Sequence, residues 1–109
     1  MEKNCLFCRI ISGQAPAEFV YENDVVVVFK DIYPKAPVHL LIVPKKHIRS
    51  INELSETDRE IVSEMILTAK EIAKKNLIST TGYKLFFNVE RGGGQEIFHL
   101  HLHLIGGWI

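Results

Sequence analysis

Apolar positions along the chain follow two periods, and the switches between them mark the elements. Leu6, Phe7, Ile10 and Ile11 recur at helical spacing and are stopped by Ser12-Gly13, which predicts a short first helix. Residues 19–21 and 25–30 are aromatic or β-branched runs on either side of Glu22-Asn23-Asp24, turn chemistry that predicts a hairpin. Pro34 and Pro37 interrupt regular structure after the second run. Residues 38–43 form a third apolar run, closed by Pro44, which has no N–H to give to a ladder. Between residues 58 and 75, Ile61, Val62, Met65, Ala69, Ile72 and Ala73 share one helical stripe, while Glu60, Glu64, Lys70, Glu71, Lys74 and Lys75 lie mostly off it. Two capping boxes compete for the start of this helix, Ser55 with Asp58 and Thr57 with Glu60. Residues 83–89 and 98–105 read as two further strands around the Gly92-Gly93-Gly94 loop. The order predicts one α+β domain over residues 1–109, with a mainly antiparallel five-stranded sheet, one long helix and one short.

Composition narrows the class. With 47% hydrophobic and 24% charged residues, the chain matches ordinary globular averages and excludes disorder or a fibrous repeat. Thirteen Lys and Arg balance thirteen Asp and Glu, which removes the basic footprint of a nucleic-acid binder. The longest apolar stretch, residues 25–29, is too short to span a bilayer. The polar start Met1-Glu2-Lys3-Asn4 lacks a signal peptide's apolar segment, so the expectation is a cytoplasmic protein with no membrane partner. A chain of 109 residues builds a thin core, and the outward Ile66 and Leu67 add to the expectation of a homodimer in which strand 83–89 and helix 58–75 meet their symmetry mates. The only cysteines, Cys5-x-x-Cys8, are too close to staple a secreted fold and suit a metal or redox role.

The five histidines are His39, His47, His99, His101 and His103. Strand alternation puts His99, His101 and His103 on one face, successive rings roughly 7 Å apart, and Phe98, Leu100, Leu102 and Leu104 on the other. A lone histidine is usually structural. Three aligned imidazoles add nothing to core packing but supply nucleophiles and proton donors at neutral pH.

The segment His99-Leu-His101-Leu-His103-Leu-Ile resembles the signature of the histidine-triad nucleotide-binding proteins. Phe29-Lys30-Asp31-Ile32 with Ala36-Pro37, Val43-Pro44-Lys45-Lys46-His47, Asn88 and Gly93-Gly94-Gln95 extend the resemblance over nearly the whole chain, and Gly106-Gly107 is similar to the purine nucleoside phosphoramidase branch. The resemblance implies a histidine-triad fold that dimerises into a continuous larger sheet. It implies attack by the middle histidine, His101, on an α-phosphorus, with the other ring nitrogen tied to the main-chain carbonyl of His99. His103 would donate to a phosphate oxygen or the leaving group, and Asn88, Gln95 and main-chain N–H groups beyond the glycines would hold the remaining oxygens. It places Asp31 on the ribose hydroxyls and Phe7, Ile10, Phe29 and Ile32 around the base; without it, the apolar residues would read as core and Asp31 as a turn residue. The ligands implied are purine nucleoside monophosphates and their phosphoramidates. Glu96 departs from the small hydroxyl residue that many relatives carry near the phosphates, and the tail ends at Trp108-Ile109 where longer relatives reach toward the partner subunit, so the resemblance does not carry leaving-group selectivity over to this chain.

Cys5, Cys8, His47 and His99 supply two thiolates and two imidazoles, a tetrahedral zinc set, and some bacterial-type relatives carry structural zinc on such residues. A redox pair and two packed thiols are the competing readings. Other functions consistent with the residues are a dinucleoside polyphosphate hydrolase, a nucleotide-binding interaction module, and a hydrolase whose catalytic zinc is held by His99, His101 and one more histidine.

Overall fold

The computed structural model describes residues 4–108; Met1, Glu2, Lys3 and Ile109, on which the expectations about the start and tail partly rest, lie outside the described residues. The first apolar cluster forms helix α1 (Leu6–Ile11), whose Cys5 sulfur accepts the Cys8 N–H at its start. The hairpin is β1 (Phe19–Glu22) and β2 (Val26–Lys30), closed by the Asn23 side-chain oxygen accepting the N–H groups of Val25 and Val26 at 2.8 and 2.9 Å. Then come β3 (Val38–Pro44), the long helix α2 (Arg59–Lys75), β4 (Tyr83–Phe86) and β5 (Leu102–Gly106). All neighbouring strands are antiparallel, in the order β1-β2-β3-β5-β4. Of the two capping boxes, the structure uses Ser55 with Asp58: the Ser55 N–H donates to the Asp58 carboxylate at 3.0 Å, and Lys46 pairs with the same carboxylate at 2.7 Å.

Two layers of side chains cover the sheet. On one face Val26, Val28, Leu40, Ile42, Leu102 and Leu104 pack against Met65, Ala69, Ile72 and Ala73 of α2. On the other, Val27, Phe29, Leu41 and Val43 pack against Phe7, Cys8 and Ile10 of α1. Strands β2 and β3 are therefore buried on both sides, which is why they read as unbroken apolar runs rather than alternating ones. No helix among the described residues is long and apolar enough to cross a membrane.

Two strands are shorter than their alternation suggests. The ladder of β4 ends at Phe86 rather than residue 89, and β5 begins at Leu102 rather than residue 98. The second difference has a cause in β3. The β3–β5 register pairs Ile42 with Leu102, and continuing it would bring Leu100 opposite Pro44, whose nitrogen has no proton. Residues 98–101 instead leave the sheet, and the Leu100 N–H donates to the carbonyl of Ile48 at 2.6 Å.

Candidate functional site

Where the ladder stops, side chains take over. His99 is fully buried, and one of its ring nitrogens, Nε2, lies 2.8 Å from the Pro44 carbonyl. A carbonyl only accepts, so Nε2 carries the proton and Nδ1 keeps its lone pair. That lone pair faces Cys5 Sγ at 3.3 Å, Cys8 Sγ at 3.6 Å and His47 Nδ1 at 3.2 Å, while Cys8 Sγ lies 3.3 Å from His47 Nδ1. Around a tetrahedral zinc with bonds of about 2.0 Å to nitrogen and 2.3 Å to sulfur, donors would be about 3.3 Å (N to N) and 3.5 Å (N to S) apart. The four residues fit such an ion in chemistry and in spacing, and α1 supplies both thiols from one helical turn.

The next histidine is fixed in the opposite sense. His101 Nδ1 donates to the main-chain carbonyl of His99 at 2.7 Å, which leaves Nε2 as a free lone pair. Phe7 meets the ring edge-on at 5.1 Å between centroids, so packing also restricts its orientation. Burial pushes the His101 pKa below the usual imidazole value, and the ring is neutral at pH 7.

A third chain of bonds passes through a residue to which the sequence pattern alone gives no role. The Lys35 N–H donates to His39 Nδ1 at 3.0 Å, so the His39 proton must sit on Nε2. That nitrogen lies 3.0 Å from His103 Nδ1 and 3.3 Å from Asp31 Oδ2. With His103 accepting at Nδ1, its own proton falls on Nε2, which is buried and has no partner among the described residues. Phe86 stacks on the same ring, 4.6 Å away and inclined by 9°. A buried donor without an acceptor costs stability and marks a place where an acceptor is to arrive. Strand parity puts His39 on the face of Leu41 and Val43, and the β3–β5 register then sets it diagonally across from His103.

Burial, reinforced by the neighbouring His101 and His39, lowers the His103 pKa from 6.5 to about 4. Asp31 opposes this shift and Lys35 adds to it. A base whose folded pKa lies below its unfolded value contributes stability that is complete above the unfolded pKa and is lost as pH falls toward the folded one. The melting temperature should therefore drop progressively between pH 6.5 and 4, and His103→Gln should remove part of that dependence in thermal melts, the rest coming from His99, also lowered to about 4, and from His39 and His101.

The other predicted residues distribute unevenly. Phe7, Ile10 and Phe29 are buried together beneath the triad, with the Phe7 and Phe29 rings 5.3 Å apart, whereas Ile32 stands 74% exposed on the following loop. Asp31 reaches the His39–His103 pair, but its second oxygen accepts the Tyr33 N–H at 2.8 Å, so it is a turn residue as well. Asn88 lies against the glycine loop, its Cγ 3.9 Å from where a β-carbon on Gly94 would stand. Glu96 is exposed. Gln95 departs from the expected direct contact with phosphate oxygens. Its side chain is buried and committed to main chain, accepting from Glu90 N at 2.7 Å and donating to the carbonyls of Arg49 at 2.7 Å and Ile97 at 3.0 Å. It shapes the loop instead. The arrangement with one catalytic metal on His99 and His101 is not assembled either: the free nitrogen of His99 faces the cysteines, while the group that clusters with His103 is His39 and Asp31.

Known proteins resemble this chain in sequence and in fold. The family model described as "Scavenger mRNA decapping enzyme C-term binding" matches residues 4–107. The purine nucleoside phosphoramidase of Escherichia coli K12 is 40% identical over 107 residues, covering 98% of this chain and 90% of that protein. A crystal structure of a HIT family hydrolase from Legionella pneumophila Philadelphia 1 superposes with a TM-score of 0.95 at 49% identity, covering 97% and 95% of the two chains. A zinc-bound histidine triad family protein from Mycobacterium smegmatis superposes with a TM-score of 0.86 at 29% identity, covering 96% of this chain and 76% of that one.

Proposed function

The chain belongs to the histidine-triad family, and from that premise we propose that it hydrolyses the P–N bond of purine nucleoside 5′-phosphoramidates through a nucleotidyl intermediate on His101. One observation carries this reading. Two adjacent imidazoles are locked in complementary tautomers, with His101 presenting a lone pair at Nε2 and His103 presenting an N–H at Nε2.

In the first half-reaction His101 Nε2 attacks the α-phosphorus, the P–N bond breaks, and its electron pair goes to nitrogen, which takes up a proton by way of His103. In the second, water attacks phosphorus, its proton returns by the same route, and the Nε2–P bond breaks to release the nucleoside monophosphate. The hydrogen bond from His101 Nδ1 to the His99 carbonyl strengthens as the attacking ring gains positive charge, which is where a fixed dipole contributes most. Asp31 takes the ribose hydroxyls, Phe7, Ile10, Phe29 and Ile32 flank the base, and Asn88 with main-chain N–H groups of the 92–97 loop holds phosphate oxygens. Cys5, Cys8, His47 and His99 would hold zinc, which would tie α1 to the chain just beyond β3 as a structural cross-link, its four protein donors leaving none for substrate. A second copy of the chain joins along β4, an edge strand, and along α2, where Ile66 and Leu67 are 39% and 55% exposed.

The test is mass spectrometry. After brief mixing with adenosine 5′-phosphoramidate, the intact chain should gain one adenylyl group that is labile to acid, and native spectra should contain two chains per particle. A chain that turns the substrate over without ever carrying the adduct would refute the covalent route.

A further inference from the structure

Glu90 adopts φ 61° and ψ 177°, a backbone region essentially reserved for glycine. A side chain persists there only when its surroundings over-determine it. Here every polar group of the residue is used. The N–H donates to Gln95 Oε1 at 2.7 Å, and the carbonyl accepts the N–H groups of Gly93 at 3.0 Å and Gln95 at 3.1 Å. The carboxylate takes a forked pair from Arg49, with Nη2 to Oε1 at 3.0 Å and Nε to both oxygens at 3.2 Å, and a bond of 2.6 Å from the Ser50 hydroxyl. Those donors hold the Glu90 carboxyl below the usual carboxylate range.

The segments so joined both belong to the site. Arg49 and Ser50 end the strap that carries His47, and Glu90 begins the glycine loop that runs on into His99. Arg49 is where the ties meet. Its guanidinium binds Glu90 and lies 4.3 Å from the centre of the Phe98 ring, and its carbonyl accepts from Gln95.

Resting on the phosphoryl-transfer reading of the site, we propose that Glu90, clamped by Arg49 and Ser50, is a positioning residue that sets the 91–97 loop as the phosphate-facing wall. The strained backbone turns the chain sharply at residue 90, and the forked ion pair keeps it turned. A glycine would make the same turn without strain but without the clamp. A lysine in place of Arg49 would keep the charge but lose the fork.

The experiment compares adenosine 5′-monophosphate with adenosine, which differ only in the group the loop is to hold. By calorimetry, Glu90→Gly and Arg49→Lys should each weaken the monophosphate about tenfold and leave adenosine within about twofold, the size of effect expected of a small misplacement in a preorganised site. The double variant should be no worse than the worse single one, because both remove the same clamp. Hydrogen exchange in the free protein should accelerate at the Gly93, Gly94 and Gln95 amides in all three. Equal weakening of both ligands, no weakening of either, additive losses, or unchanged exchange would each overturn the proposal. If Glu90→Gly does not fold, Arg49→Lys decides alone. A wild-type protein that binds adenosine as tightly as the monophosphate would count against the phosphoryl-transfer reading itself, and the exchange rates would then judge the clamp independently.

Discussion

Replacing His101 by alanine should abolish turnover of a nucleoside phosphoramidate, by on the order of 10⁴-fold or more, while monophosphate affinity stays within a small factor. The asymmetry follows from what the ring does. Its one hydrogen bond among the described residues is to the His99 carbonyl, and in the proposed route its free nitrogen forms its decisive contact only as the bond to phosphorus develops. Turnover should fall because a lone pair is missing; binding should survive because the proposed base, ribose and remaining phosphate contacts come from other residues. His101→Gly should recover part of the lost rate when free imidazole is added, since the cavity left beside Phe7 fits the missing ring. Near-normal turnover in the alanine variant, measured with enzyme free of contaminating activity, would exclude His101 as the nucleophile.

The second large effect is on stability. Metal analysis of protein purified under reducing conditions without chelator should find about one zinc per chain, and Cys5→Ser combined with Cys8→Ser should lower the melting temperature by more than about 10 °C. A closed shell of four protein ligands predicts a further separation: the folded fraction of that double variant should still accept an adenylyl group on His101. A folded variant that cannot be adenylated despite an intact triad would move the metal into the chemistry. Protein with no zinc would return the two thiols to simple packing beneath the sheet, with His47 and His99 orienting His101 through hydrogen bonds alone.

How much of this can be read from residue order depends on whether the governing interaction is local. Helix α2 is legible because one stripe of its surface is buried and the other is wet, and its 3.6-residue period survives in the sequence; even Thr68, a polar member, falls on the buried stripe. Strands β2 and β3 are legible as strands but not by face, because burial on both sides erases alternation. His39 escapes assignment for that reason, since its role appears only once β3 is set beside β5. The start of β5 reads too early because side chains continue to alternate through residues 98–101 after their hydrogen-bond partners have gone. The cluster of Cys5, Cys8, His47 and His99 is suggested by residue chemistry together with the family resemblance, and the structure brings the four side chains together. The conformation of Glu90 is not, because a glutamate in glycine's territory is explained only by an arginine from a distant part of the chain.

Pro44 gives the sheet an end, and that end divides the molecule mechanically. Leu102, Leu104 and Gly106 are stitched into the ladder of neighbouring strands, whereas His101, the proposed nucleophile, rides on a short span outside it, held by the Ile48 carbonyl and by its neighbours' side chains. In the proposed reaction the gap between ring nitrogen and phosphorus closes from van der Waals contact to covalent distance and then reopens, whichever side moves. A span outside the ladder can shift slightly without stretching a cross-strand bond, so the stiffness that keeps the domain folded and any adjustment the proposed chemistry needs fall to adjoining lengths of chain.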